Sequence, residues 1–187
     1  MRALCILVLG FVASDPVIAT VTDDLRYTSY PVHYRDHVPL KVLLARATPR
    51  HAGRGMIIVG WTAPKITWKM QLETLADRHC RVHGVRTLLS TTITLPASDD
   101  PEISQDGDFR VFLTRLKAHE LGHYKIAQTA AAEIDRGISK LPPAASCTAL
   151  QRKANQLGSA ILANMWRQQS TYDASNDHGM SYGDALE

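Results

Sequence analysis

The order of apolar and polar positions divides the chain into a β-rich front half and a helical back half. Apolar and polar residues alternate most strictly over residues 66–72, a pattern typical of a half-buried strand. Further β-leaning runs lie at residues 25–32, 56–61 and 80–95. Gly84 predicts a break or bulge in the last of these runs. The T-A-P-K stretch at 62–65 predicts a hairpin between two of the strands, and the segment after Pro39 predicts a helix over 40–47.

Two long helices are predicted in the back half. Between Asp108 and Ile138 there is no proline, and apolar residues recur at i, i+3 and i+4. Asp106 or Asp108 is suited to cap the start of this helix, and Ser146 is suited to cap a second helix over about residues 147–170. Strands followed by helices predict an α+β fold, with a small antiparallel sheet packed against two long helices.

The first long helix carries the pattern H-E-x-x-H, formed by His119, Glu120 and His123. Histidines four residues apart share one helix face, so both imidazoles can bind one zinc ion, as on a zincin-like active-site helix. Bound zinc lowers the pKa of its water to about 7, and Glu120 would act as the general base. Gly122 would let another segment approach the metal closely. The alternative is a chance pattern on an ordinary amphipathic helix.

A third metal ligand has to come from another element. Catalytic zinc usually has three protein ligands and one water. His178, in the polar C-terminal tail, is the favoured candidate, and Asp177 and Asp173 are the alternatives. Tyr172 is predicted to donate its phenol to the oxyanion that forms when a carbonyl is attacked, and Tyr182 is a second candidate for this role.

The N-terminus has the features of a secretory signal peptide. Arg2 precedes the apolar run Cys5–Ala13, and small residues stand at the −3 and −1 positions of a cleavage site after Ala19. Such a run is too short to span a bilayer, which takes about 20 residues. We therefore predict a signal peptide at 1–19 and a single periplasmic or secreted domain at 20–187, with no membrane span in the mature chain. A buried N-terminal strand or helix is the alternative.

Cleavage would leave two cysteines, Cys80 and Cys147, in an oxidising compartment. Two cysteines in that setting predict one disulfide. Closing the long loop between residues 80 and 147 would stabilise the fold by about 4 kcal/mol in the chain-entropy model. Two buried free thiols are the alternative. The net charge of +3 is mild and the cationic residues are dispersed, so we predict no nucleic-acid partner.

Together these features resemble a family of bacterial secreted proteins, first described as a domain of unknown function and later as predicted secreted zinc-dependent proteases. The resemblance covers nearly the whole mature chain. It is carried by Trp61-Thr62 through Trp68, Cys80, residues 92–96 (T-I-T-L-P), His119-Glu120-Leu121-Gly122-His123, Cys147, and Tyr172-Asp173 with Asp177-His178-Gly179. Asn176 departs from the family pattern, which has threonine at this position.

The resemblance implies peptide-bond hydrolysis with bound Zn²⁺, with His119 and His123 as ligands and Glu120 as the catalyst. We expect a zinc metallopeptidase that acts on a peptide or protein in the cell envelope. One alternative is a non-catalytic envelope binding module whose metal is structural or absent. Another is a zinc hydrolase acting on a non-protein amide, such as a cell-wall peptide.

Overall fold

The computed structural model describes residues 18–50 and 57–176, and the remaining residues lie outside the described part of the chain. The strands in this part are β1 (Ile18–Pro31), β2 (Trp61–Thr74) and β3 (Cys80–Ala97). The helices are α1 (Leu40–Ala47), α2 (Pro101–Ser104), α3 (Gly107–Ser139) and α4 (Cys147–Ser175). The predicted α+β class is confirmed. The predicted signal peptide lies almost wholly outside the described residues and stays a prediction.

The three strands form a mixed sheet in the order β1-β3-β2. β2 runs antiparallel to β3, but β1 runs parallel to it, so the predicted all-antiparallel sheet is wrong for this pair. Parallel neighbours need a long crossover connection, which here includes α1 and β2. Patterns of alternation predict strands but carry no information on their direction.

β2 is one continuous strand, so the predicted hairpin at residues 62–65 is wrong. Pro64 lies inside β2 and pairs with Thr91 of β3. Within the described residues β2 is an edge strand of the sheet. Proline is tolerated on an edge strand, because its missing N–H can face the side without a sheet partner. The predicted irregularity at Gly84 is confirmed, because the register with β2 shifts where Gln71 pairs with Gly84 and Leu72 pairs with Val82.

Both long helices begin at the predicted caps. The Asp106 side chain accepts a hydrogen bond from the Phe109 backbone N–H at 2.7 Å, and the Ser146 hydroxyl accepts one from the Ala149 N–H at 3.2 Å. These bonds satisfy N–H groups that a helix leaves without partners in its first turn. α4 continues to Ser175, past its predicted end near Ser170.

α3 contacts all three strands and also packs against α4. One buried core cluster lies between the sheet, the later part of α3 and α4, and includes Leu89, Ile134 and Leu150. A second cluster lies between α1, β1 and the first part of α3, and includes Leu44, Phe112 and Leu116. The H-E-x-x-H segment lies on α3 between the parts that supply these two clusters.

The predicted disulfide between Cys80 and Cys147 is confirmed, with an S–S distance of 2.05 Å. It joins the first residue of β3 to the first residue of α4. Beside it, Cys80 and Ala144 exchange two backbone hydrogen bonds of 2.8 and 2.9 Å. No helix in the described part of the chain is long and apolar enough to cross a membrane.

Candidate metal centre

Three donor atoms converge where α3 meets α4. The Nε2 atoms of His119 and His123 lie 3.2 Å apart on one face of α3. Asp173 Oδ1, from α4, lies 3.3 Å from His119 Nε2 and 2.8 Å from His123 Nε2. His119 is buried, with 4% of its surface exposed. Two imidazoles and a carboxylate from two helices therefore share one small volume.

The spacing of these donors fits a zinc ion. Donors held about 2.0–2.1 Å from a tetrahedral zinc lie about 3.3 Å from one another. Two of the three distances match this value, and the His123–Asp173 distance is shorter. Two histidines and a carboxylate also form the donor set of several catalytic zinc sites, in which the fourth position holds water.

Asp173, one of the two alternatives to His178, is the third residue that the structure brings to this cluster. The longer α4 explains this outcome, because it carries Asp173 in helical geometry onto the face that meets α3. His178, Asp177 and Tyr182 lie outside the described residues, so their predicted roles stay predictions.

Gln169 holds His123 at two points. Its Oε1 is hydrogen-bonded to His123 Nδ1, and its Nε2 donates to the His123 main-chain oxygen at 3.0 Å. Gln169 is buried, with 7% of its surface exposed. An amide oxygen on Nδ1 selects the tautomer in which Nε2 carries a lone pair for a metal. The sequence pattern gave no signal for this residue, because a glutamine is ordinary on a helix.

Glu120 is buried beside the histidines, with 3% of its surface exposed. Its Oε2 accepts a hydrogen bond of 2.7 Å from the Thr62 hydroxyl, which also lies 3.0 Å from the Glu120 main-chain oxygen. Burial raises the pKa of the Glu120 carboxyl, and the Asp173 carboxylate acts in the same direction. The Thr62 hydrogen bond and His123 lower this pKa but do not cancel the rise.

Tyr172 packs against the histidines on the side of α3 away from Glu120. Its ring stacks on His119 and meets His123 edge-on, each with centroids 5.0 Å apart. A Cβ on Gly122 would lie 2.1 Å from the Tyr172 hydroxyl oxygen, so the predicted close approach at this glycine is confirmed. Residues two apart on a helix point about 200° from each other, which separates Glu120 from the Gly122 side.

A cleft of about 400 Å³ opens onto the centre. It is lined by parts of α1, α3 and α4 and by residues 57–62, and it reaches both histidines, Glu120 and Asp173. Tyr172 is not among the described residues that line this cleft. Its placement therefore does not support the predicted contact between its phenol and an oxyanion, which stays a prediction. The cleft gives a ligand access to the side of α3 that carries Glu120.

A protein-family model described as "Bacterial protein of unknown function (DUF922)" matches residues 27–179. The chain belongs to this family. The matched part of this DUF922 protein contains the three donor residues, Glu120 and the tail residues Asp177 and His178. The family's description assigns no activity. Searches among curated proteins and among solved structures give no match.

Proposed function

We propose that this DUF922 protein is a zinc-dependent metallopeptidase that hydrolyses peptide bonds outside the cytoplasm. One observation carries the proposal. His119 Nε2, His123 Nε2 and Asp173 Oδ1 converge at metal-ligand spacing, beside the buried Glu120 and at an open cleft. A structural metal needs no carboxylate of this kind beside it, whereas water-mediated hydrolysis does.

Each residue then has a distinct role. His119, His123 and Asp173 would hold the zinc, which when bound polarises a carbonyl and lowers the pKa of a water to about 7. Glu120 takes the proton from the attacking water and delivers it to the leaving amine. Thr62 holds Glu120 Oε2 in place, so the carboxylate does not have to be oriented during the reaction.

The proposed location is the periplasm or the exterior of the cell. The Cys80–Cys147 disulfide supports it, because structural disulfides persist in oxidising compartments. The predicted cleavage after Ala19 agrees with the same location.

The rival proposal is an envelope binding module with a structural metal, and the number of protein ligands separates the two. If His178 joins the other three donors, four protein ligands close the site, which is typical of structural zinc. If Asp173 completes a three-residue site, one position stays available for water. The same His₂-carboxylate set also binds Fe(II) in oxygenases, so the metal itself has to be identified.

The test is the metal content and the peptidase activity of residues 20–187. We expect about one zinc per chain, lost in His119→Ala and in Asp173→Ala and kept in His178→Ala. Glu120→Gln should keep the zinc and lower kcat by at least about 100-fold, because only the proton acceptor is removed. Elemental analysis and cleavage of a quenched-fluorescence peptide library measure the two properties.

Glu133→Gln is the matched control, since it makes the same change on the same helix outside the cluster. Undiminished turnover by Glu120→Gln contradicts the mechanism. A wild-type chain that takes up no zinc when zinc is supplied contradicts the proposal and favours the binding module.

A further inference from the structure

The floor of the cleft is made of core side chains. Leu44, Phe112 and Leu116 line it, although only 2, 5 and 5% of their surfaces are exposed. Gly60 also lines the cleft, and a Cβ there would lie 3.0 Å from the Leu116 side chain. The floor is therefore apolar, and its shape is set by packing before any ligand binds. Such a floor favours a large apolar side chain.

The wall formed by residues 57–60 is held in place by buried hydroxyl groups. The Thr48 hydroxyl donates to the Ile58 oxygen at 2.5 Å, and the Tyr30 hydroxyl donates to the Val59 oxygen at 2.6 Å. Burial raises the pKa of Tyr30 to about 12, so its phenol remains a donor at neutral pH. The wall is thus tied to the end of α1 and to β1.

Two cations line the cleft together with this apolar floor. Lys41 of α1 and Arg50 are both exposed there. Within residues 18–50 and 57–176, neither has a carboxylate within ion-pair distance. The Arg50 guanidinium lies 5.2 Å from the centroid of the Trp61 ring, a cation–π contact that restricts its position.

The acidic residues in the described lining are Glu120 and Asp173, and both belong to the candidate centre. The remaining charge of the lining is therefore positive. An anionic group on a bound ligand would be attracted to this part of the cleft, and a cationic one would be repelled.

We propose that the cleft selects peptides in which a large apolar residue is followed by a carboxylate that pairs with Lys41 and Arg50. The inference rests on the proposed peptidase function and names its substrate class. The carboxylate has two sources, an acidic side chain or the C-terminus of the peptide, and the same pair of cations recognises both.

The test compares kcat/KM for peptides with one fixed frame, carrying Leu-Glu, Leu-Gln, Leu-Lys or Ala-Glu, each with an amidated C-terminus. A further pair ends in Leu-Gln with a free or an amidated C-terminus. Replacing leucine by alanine in the peptide should lower kcat/KM by about 10- to 100-fold. Replacing glutamate by glutamine should lower it by about 3- to 10-fold at low salt, and less at high salt.

The double variant Lys41→Glu/Arg50→Glu should reverse the charge preference, so that Leu-Lys becomes a better substrate than Leu-Glu. Arg46→Glu is the matched control, because Arg46 is exposed on the same helix as Lys41 but is not among the described residues that line the cleft. It should leave the preference unchanged. If kcat/KM is higher only for the Leu-Gln peptide with a free C-terminus than for its amidated form, the terminal carboxylate is the recognised group. If kcat/KM is higher for Leu-Glu than for Leu-Gln, the acidic side chain is the recognised group.

Equal kcat/KM for all the peptides overturns this inference and leaves the peptidase function standing. If no peptide is cleaved, binding of the same peptides to the Glu120→Gln variant is measured by tryptophan fluorescence, since Trp61 and Trp166 line the cleft. The same preference in binding supports the ligand class while the peptidase function fails. Absence of binding overturns both.

Discussion

Asp173 and Gln169 meet the same histidine from one helix. Asp173 Oδ1 lies 2.8 Å from His123 Nε2, while Gln169 is bonded to Nδ1 and to the His123 carbonyl. α4 thus contributes one candidate ligand and also orients another. A hydrogen bond on the second nitrogen fixes the ring and its tautomer, and loss of such bonds typically weakens metal binding.

Replacing Gln169 by alanine should lower zinc affinity by about 10- to 100-fold, because His123 loses the partner of its Nδ1. Gln168→Ala is the control, since Gln168 immediately precedes Gln169 in α4 and is exposed. Gln169→Glu keeps an acceptor for Nδ1 but loses the donor to the carbonyl, and should fall between alanine and wild type. Competition with a chelator measures the affinity, and unchanged affinity in Gln169→Ala would rule out this positioning role.

At the scale of elements, α3 and α4 come into contact at two glycines. A Cβ on Gly122 would lie 2.1 Å from the Tyr172 hydroxyl oxygen, and one on Gly137 would lie 2.9 Å from Leu157 Cδ2. The absence of a side chain at these positions lets α4 lie close enough for Asp173 to reach the histidines. The glycine between the two candidate ligands therefore has a packing role.

Gly122→Ala should destabilise the protein by about 1–3 kcal/mol through overpacking, although alanine favours a helix by about 1 kcal/mol. In a Tyr172→Ala background the same change should become stabilising, because the clash is gone. Gly107→Ala is the control, since a Cβ there meets nothing within 4 Å. Urea unfolding of the wild type, of Gly122→Ala, of Tyr172→Ala and of the double variant gives the coupling energy between the two positions. If the changes in the free energy of unfolding simply add, the contact is contradicted.

For the whole molecule, the disulfide joins the sheet to the start of α4, whose far end carries Asp173. Cys80 and Cys147 are separated by 67 positions in the sequence. Closing so long a loop restricts the unfolded chain far more than the folded one.

Reduction of the disulfide should lower the free energy of unfolding by about 4 kcal/mol. Denaturant unfolding with and without reductant measures this change. A Cys80→Ser/Cys147→Ser chain should already show the lower stability and should not respond to reductant. A wild-type chain whose stability is the same in both conditions would contradict the loop argument.

Local patterns in the sequence were enough to predict α1, the caps of α3 and α4, the irregularity at Gly84 and the cysteine pair. Each depends on neighbouring residues or, for the cysteines, on their number. The direction of β1 and the continuity of β2 through Pro64 were missed, because both depend on which strands become neighbours in the sheet.

The residues of the candidate centre also fall into those that the sequence predicted and those that only tertiary packing brings together. The sequence alone determined that His119 and His123 share a face, because a helix repeats every 3.6 residues and the two are one turn apart. Only the tertiary structure decided that Asp173 and Gln169 meet the histidines and that Thr62 meets Glu120. These residues lie on α4 and β2, and their positions follow from how the two helices pack and how the edge strand crosses α3. No local pattern encodes such contacts, because they depend on the packing of the whole chain.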